Sequence, residues 1–270
     1  MKNILLHLQH SAGSDRAREN AIALATSLEA HLTCMYVTPN SAFVAAGPFG
    51  GIFAIDDIMD ALEKRATDVK GKVEADLANE AIGWDYDRRV GDPVATLAYH
   101  SSISDLLITG RDEAKDDDLQ TPMARLGSLL HRVHCPIFIP GDDGAVIDPN
   151  GTAIIAWDGS VESANAVRAC LPVLKTASKV KVVRIEEDKD QFPDTRVMEY
   201  LSRHGIHAEL IVEPFTEKWV DEVLVLHAQT SHPSFIVSGA YSHRRLSEFL
   251  FGGTTRSLLR KCPVGLFLAH

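Results

Sequence analysis

The feature that most restricts the fold is an alternation of strand-like and helix-like segments that runs through the chain twice. Residues 3–8 (NILLHL) form a short apolar run of strand length. Residues 14–30 follow with helical periodicity, and Ser14 offers an N-cap. A second strand is expected over 31–37, a long amphipathic helix over 56–81 and a third strand over 84–90. A short helix opens at Asp92-Pro93, a good start signal. Strands at 104–110 and 136–140 flank a helix at 123–133. The second half repeats this order, with strands over 152–160, 179–187, 206–214, 233–239 and 264–270. Helices over 161–177, 194–205, 218–230 and 255–261 lie between them. Pro172 shortens or kinks the first of these helices, and Gly205 closes the second as a C′ residue. Such alternation predicts an α/β fold with parallel sheets covered on both faces.

The two halves also align at their ends. LLHLQHS (5–11) lies on IIAWDGS (154–160), which sets Gln9 opposite Asp158. Leu129-Leu130 lie on Leu258-Leu259, so Ile137, Phe138 and Ile139 fall on Leu266, Phe267 and Leu268. Turn formers are dense in residues 140–151. A repeat this long reads as one domain duplicated, with units at 1–142 and 150–270.

Composition agrees and excludes some functions. A chain of 270 residues with 45% hydrophobic content can bury a core in each of two units. Its net charge of −10 argues against a general nucleic-acid surface and against an anionic membrane surface. No segment approaches the roughly 18 apolar residues of a membrane helix, and the first apolar run is too short for a secretion signal. Cys34, Cys135, Cys170 and Cys262 are far apart with no CxxC, the pattern of reduced, mostly buried thiols in a cytoplasmic protein.

In an open parallel sheet, ligands bind beyond the carboxyl ends of the strands, where the strand order reverses. With the order 3-2-1-4-5, that crevice lies between strands one and four. In the second half the first strand ends at Asp158-Gly159-Ser160 and the fourth at Gly239. Gly239 lets the chain turn close to a ligand. Gly252-Gly253 precede a helix whose free N–H groups favour an anion, and Thr254 and Thr255 add hydroxyls there. His243, Arg244 and Arg245 can screen phosphate charge, and Asp158 can accept a hydrogen bond from a ribose or a base amine or hold a metal through water.

These stretches resemble the universal stress protein family. The resemblance rests on the strand ending in DGS at 158–160 and on the spaced glycines from Gly239 to Gly253, and it covers the whole chain as a tandem pair. It implies two Rossmann-like domains with strand order 3-2-1-4-5, paired through their last strands as an internal pseudo-dimer. Many members bind ATP between the strand-one Asp and the glycine loop; others bind none. Carried over, it assigns an adenine nucleotide, ATP with or without Mg²⁺, to Asp158, Gly239, Ser242, Gly252, Gly253, Thr254 and Thr255. Two positions depart from the pattern: Ser242 stands where a glycine is expected, and Gly253 where a Ser or Thr is expected. The first half departs further. Gln9 replaces the Asp, and Gly110 is followed by an acidic loop with Asp116-Asp117-Asp118 that repels phosphate. This half is expected to lack a nucleotide site. An alternative register, with Gly127-Ser128 on the glycine pair, breaks the match of the paired leucines.

Each of these residues also has a plain structural use. Asp158 can cap the following helix, and the glycines can be turns of the fold. His131, His134 and Cys135 are close in sequence but lack a further cluster to complete a metal site, and no catalytic triad can be assembled. Phe43, Phe49 and Phe53 are expected to cover core. The expectation is a stress-response sensor that binds an adenine nucleotide in its C-terminal half, without an assigned catalytic base. The alternatives are a scaffold or interaction module with an unknown protein partner and, third, a slow nucleotide hydrolase. Dimerisation of the whole chain stays open.

Overall fold

The computed structural model describes residues 1–40, 53–111, 122–142, 144–185, 193–214, 220–240 and 253–270. In the first half, β1 (Asn3–Leu8) leads into α1 (Ala12–Leu28) and β2 (His31–Pro39). Next come α2 (Phe53–Leu77), β3 (Trp84–Gly91), α3 (Pro93–His100), β4 (Leu106–Ile108), α4 (Pro122–Arg132) and β5 (Ile137–Ile139). The second half runs β6 (Thr152–Trp157), α5 (Val161–Ala169), α6 (Leu171–Leu174), β7 (Lys179–Ile185) and α7 (Asp194–Arg203). It closes with β8 (Ala208–Glu213), α8 (Val220–Ser231), β9 (Phe235–Gly239), α9 (Gly253–Lys261) and β10 (Gly265–Ala269).

Local chemistry accounts for most boundaries. Asp92 caps α3 by accepting the Ala95 N–H, with Pro93 as the first helical residue. The helix expected over 161–177 breaks at Cys170, so Pro172 falls in the first turn of the short α6 instead of interrupting α5. Gly205 adopts φ +79° and ends α7. Its N–H reaches the Ser202 carbonyl and that of Ile206 reaches Leu201, a paired closure that a left-handed residue permits. One expectation is corrected. The N-cap of α1 is Ser11, whose Oγ accepts the Ser14 N–H, and Ser14 is buried inside the first turn. Ser11 has the extended backbone a cap needs, and it is the residue that aligns with Ser160, the N-cap of α5.

The strands form one ten-stranded sheet in the order β3-β2-β1-β4-β5-β10-β9-β6-β7-β8. Each half therefore has the order 3-2-1-4-5, and the second is the first turned round. Every pairing is parallel except β5 with β10 at the centre, which makes a single mixed sheet. There Phe138 pairs with Phe267, with Ile137 opposite Leu268 and Ile139 opposite Leu266. The equivalent Phe138 and Phe267 thus face each other at a local two-fold axis, and the flanking pairs are exchanged by it. The Phe138 and Phe267 rings lie 4.6 Å apart, and Phe235 stacks edge-on against Phe267 at 5.2 Å.

Two apolar layers cover the sheet, and each crosses the seam. One packs α1, α2, α5, α6 and α7 against strand residues such as Leu6, Phe138, Ile155 and Phe267. The other packs α3, α4, α8 and α9 against Leu107, Ile139, Ile236 and Leu268. Polar contacts tie the halves further. The Arg111 guanidinium donates to Asp142 at 2.7 Å and to the Cys262 carbonyl, and the Ile147 N–H in the connecting segment donates to the Asn20 side chain. The outer strands β3 and β8 carry charge, with Asp85, Asp87, Arg88 and Arg89 on one and Glu209 and Glu213 on the other. Charges at the margin discourage further strand pairing. None of the four cysteines is in a disulfide: Cys34, Cys170 and Cys262 are buried and Cys135 is half-buried, and burial pushes Cys34 and Cys135 up to about 12.

Candidate functional site

The antiparallel seam sets the two crevices on opposite edges of the sheet. In the second half, β6 lies between β9 and β7, and the carboxyl ends of β6 and β9 open beside the N-terminus of α5. Helix α9 returns the chain from β9 to the parallel β10, so its N-terminus lies on this same edge.

Asp158 sits at this opening, directly after β6. Its Oδ1 accepts the Ser160 N–H at 3.0 Å and the Ser160 hydroxyl at 2.6 Å. The same Ser160 Oγ accepts the Ser163 N–H at 3.1 Å, which caps α5. Asp158 thus orients the capping hydroxyl, the structural use open to it from the sequence. The first-half counterpart is organised differently. The Gln9 backbone N–H donates to Ser14 Oγ at 2.8 Å, while its side-chain Oε1 is buried without a hydrogen-bond partner.

Gly239 ends β9 where α5 begins. A Cβ there would stand 2.6 Å from the Ser163 nitrogen and 2.7 Å from the Glu162 carbonyl carbon, both backbone atoms. Gly110 does the same in the first half, where a Cβ would meet the Gly13 carbonyl at 2.5 Å and the Ser14 nitrogen at 2.8 Å. Absence of a side chain at the end of the fourth strand is therefore a demand of strand–helix packing in both halves.

Of the other sequence-derived residues, Ser242, His243, Arg244, Arg245 and Gly252 lie outside the described residues. Gly253 and Thr254 belong to the first turn of α9, and Thr255, next in that turn, is buried. Phe43, Phe49 and Asp116 to Asp118 also lie outside, and Phe53 is placed only as the first residue of α2. Gly127 and Ser128 are interior to α4, so the register that matches the leucine pairs is the one the backbone follows. Among the described residues no group of three His, Cys, Asp or Glu is placed to hold a metal ion.

Two features escaped sequence reasoning. In the first half, His7 on β1 is fully buried and its Nδ1 lies 3.0 Å from Thr109 Oγ1, just beyond β4. Burial, with Arg125 nearby, lowers its pKa to about 3, so the imidazole is neutral. This pair occupies the strand-one to strand-four position of the first half, and its only advance sign was a His amid an apolar strand. In the second half, Arg184 on β7 donates through one terminal nitrogen to Asp194 Oδ2 at 2.6 Å at the start of α7. Arg184 is the register partner of Trp157, the residue before Asp158.

Among the described residues no helix is long and apolar enough to cross a membrane. No family model matches the sequence, and no curated protein matches it. Solved structures do match. A universal stress protein from Archaeoglobus fulgidus aligns over 100% of this chain and 98% of its own, at 20% identity and a TM-score of 0.76. A putative universal stress protein from Pseudomonas aeruginosa aligns over 100% and 93%, at 15% identity and a TM-score of 0.56. The cytoplasmic domain of a prokaryotic cation chloride cotransporter aligns over 99% and 94%, at 9% identity and a TM-score of 0.53. One architecture thus serves proteins of different kinds, and function has to be argued from the site. The fold of this chain is that of a tandem universal stress protein.

Proposed function

We propose that residues 150–270 bind an adenine nucleotide, ATP being the first candidate, and that residues 1–142 support that half without binding one. The observation that carries this reading is the crevice between β6 and β9, where the N-termini of α5 and α9 lie at one sheet edge, one on each face, with Asp158 between β6 and α5. Two helix N-termini supply N–H groups and positive dipole ends for phosphates, and a carboxylate beside them suits a ribose hydroxyl or a base amine. The first half has the same helices but fills the matching place with the neutral His7–Thr109 pair and carries Gln9 in place of Asp158. With no catalytic base assigned, the protein acts as a nucleotide-responsive sensor in this reading.

The test is direct. Protein purified without added nucleotide is denatured, and released small molecules are identified by mass; ATP with Mg²⁺ is then titrated into wild type, Asp158→Ala and Gly252→Val. About one adenine nucleotide per chain, weakened in both variants, supports the reading. No binding at millimolar ATP overturns it. One observation favours the second reading, an interaction module: Asp158 and Gly239 already have structural tasks in capping and packing α5. That reading gains if nucleotide is absent and a protein partner is retained.

A further inference from the structure

At the base-facing end of the same crevice the structure leaves three hydrogen-bonding atoms unspent. Among the described residues, nine buried side-chain nitrogen or oxygen atoms have no partner, and three of them are neighbours here: Trp157 Nε1, Arg184 Nε and Asp194 Oδ1. Trp157 and Arg184 are paired across β6 and β7, and Asp194 bonds Arg184 directly. Strand alternation sets Arg184 on the face of Val180 and Val182, the face that α7 and Trp157 share. An Arg and an Asp this close usually pair through two parallel bonds. Here one bond is recorded, through a terminal nitrogen and Oδ2, which leaves a donor and an acceptor on the same pair. Buried polar atoms are costly to leave unpaired, so a cluster of three points to a ligand that satisfies them.

The first half has unpaired atoms near the matching strand ends, at Gln9 and Thr38, but no Arg–Asp pair there. The first-half residues at the same positions, by alignment and by strand register, are Leu8 for Trp157 and Tyr36 for Arg184. The cluster is also in the right place. The strands run β9-β6-β7 at about 4.8 Å spacing, so β7 lies about 10 Å from the strand that leads to the α9 N-terminus. A nucleotide with its phosphates toward α9 and its ribose at Asp158 lays its base toward β7.

We propose that Arg184, Asp194 and Trp157 read the amine edge of adenine. Two donors and one acceptor match that edge, where the ring nitrogens N1 and N7 accept and the 6-amine donates. Asp194 Oδ1 takes the amine, and Arg184 Nε donates to a ring nitrogen beside it. This inference rests on the nucleotide reading above and adds which end of the ligand is recognised and by what.

The experiment compares ATP with purine riboside 5′-triphosphate, which keeps the ring and phosphates and lacks the amine. Calorimetric Kd values are measured on the full chain, for wild type and Asp194→Ala, with melting temperatures alongside. Wild type should prefer ATP by about tenfold or more, the worth of a hydrogen bond to a charged group. Asp194→Ala should erase that preference while binding the amine-free analogue as wild type does. Equal binding of the two ligands to wild type overturns the inference and leaves the nucleotide reading standing. So does an Asp194→Ala variant that weakens both alike, the mark of a merely structural ion pair. If neither ligand binds wild type, the nucleotide reading fails and this inference falls with it. Should Asp194→Ala not fold, the two-ligand comparison on wild type decides alone.

Discussion

Gly239 and Gly110 offer a sharp test of what the glycines do. Each stands where the fourth strand of its half touches the backbone at the start of the first helix. An added Cβ at Gly239 would need about 0.8 Å more room against the Ser163 nitrogen to reach ordinary contact, and at Gly110 about 0.9 Å against the Gly13 carbonyl. The obstructing atoms are main chain, so no rotamer change relieves them; α5 or α1 must shift as a body. Overpacking of this kind costs about 1–3 kcal/mol, and the rigid neighbours place both sites toward the upper end. For a chain of this size that corresponds to a melting temperature lower by roughly 5–10 °C. Gly239→Ala and Gly110→Ala are to be compared with wild type by thermal and urea unfolding, with ATP titration on each. Both variants should lose similar stability, although only one lies in the proposed nucleotide half. If Gly239→Ala melts as wild type does and loses only nucleotide binding, strand–helix packing is the wrong explanation for this glycine.

Acid should weaken the protein through His7. Its folded pKa of about 3 lies below the unfolded value of 6.5, so the stabilisation is present above pH 6.5 and is lost as pH falls toward 3. Between pH 7.5 and 5 the loss from this group is about 2 kcal/mol, and urea midpoints should show a steeper acid dependence in wild type than in His7→Gln; parallel curves would refute it. At the seam, Phe267→Ala removes a fully buried ring that stacks on Phe138 and Phe235, and should cost about 3–5 kcal/mol by denaturant unfolding. A loss below about 1 kcal/mol would mean that the central pair contributes little to joining the halves.

The sequence was most legible where short-range pattern and burial agree. Strand-length apolar runs such as NILLHL and IFI became strands because both faces of the sheet are covered, and the terminal alignment carried enough register to bring Phe138 to Phe267. The cap of α1 was misread because two serines three residues apart both suit the role; the backbone at Ser11 decides it, and only the repeat pointed there. The packing task of Gly239 and Gly110 was not legible because sequence cannot show what stands across from a missing Cβ. The hint was available, since Gly110 persists in the half whose following loop is acidic. His7 with Thr109, and Arg184 with Asp194, are pairings across 102 and 10 residues that no local period encodes.

The duplication itself is the strongest argument for separating fold from function. Features shared by both halves, such as the helix-capping serine and the strand-end glycine, are explained by packing, because both halves make the same capping and strand–helix contacts with them. Features confined to one half need another cause. In the second half these are Asp158 and the unsatisfied atoms of Trp157, Arg184 and Asp194; in the first they are Gln9 and the buried His7–Thr109 pair. Unpaired buried atoms also occur in the first half, at Gln9, Thr38, Tyr86 and Arg111, so what sets the second half apart is that its Arg184 and Asp194 are bonded to each other and each still has an unpaired atom. Each half thus serves as the other's internal control, and the residues that differ at equivalent positions are the ones to vary when the proposed nucleotide binding is tested.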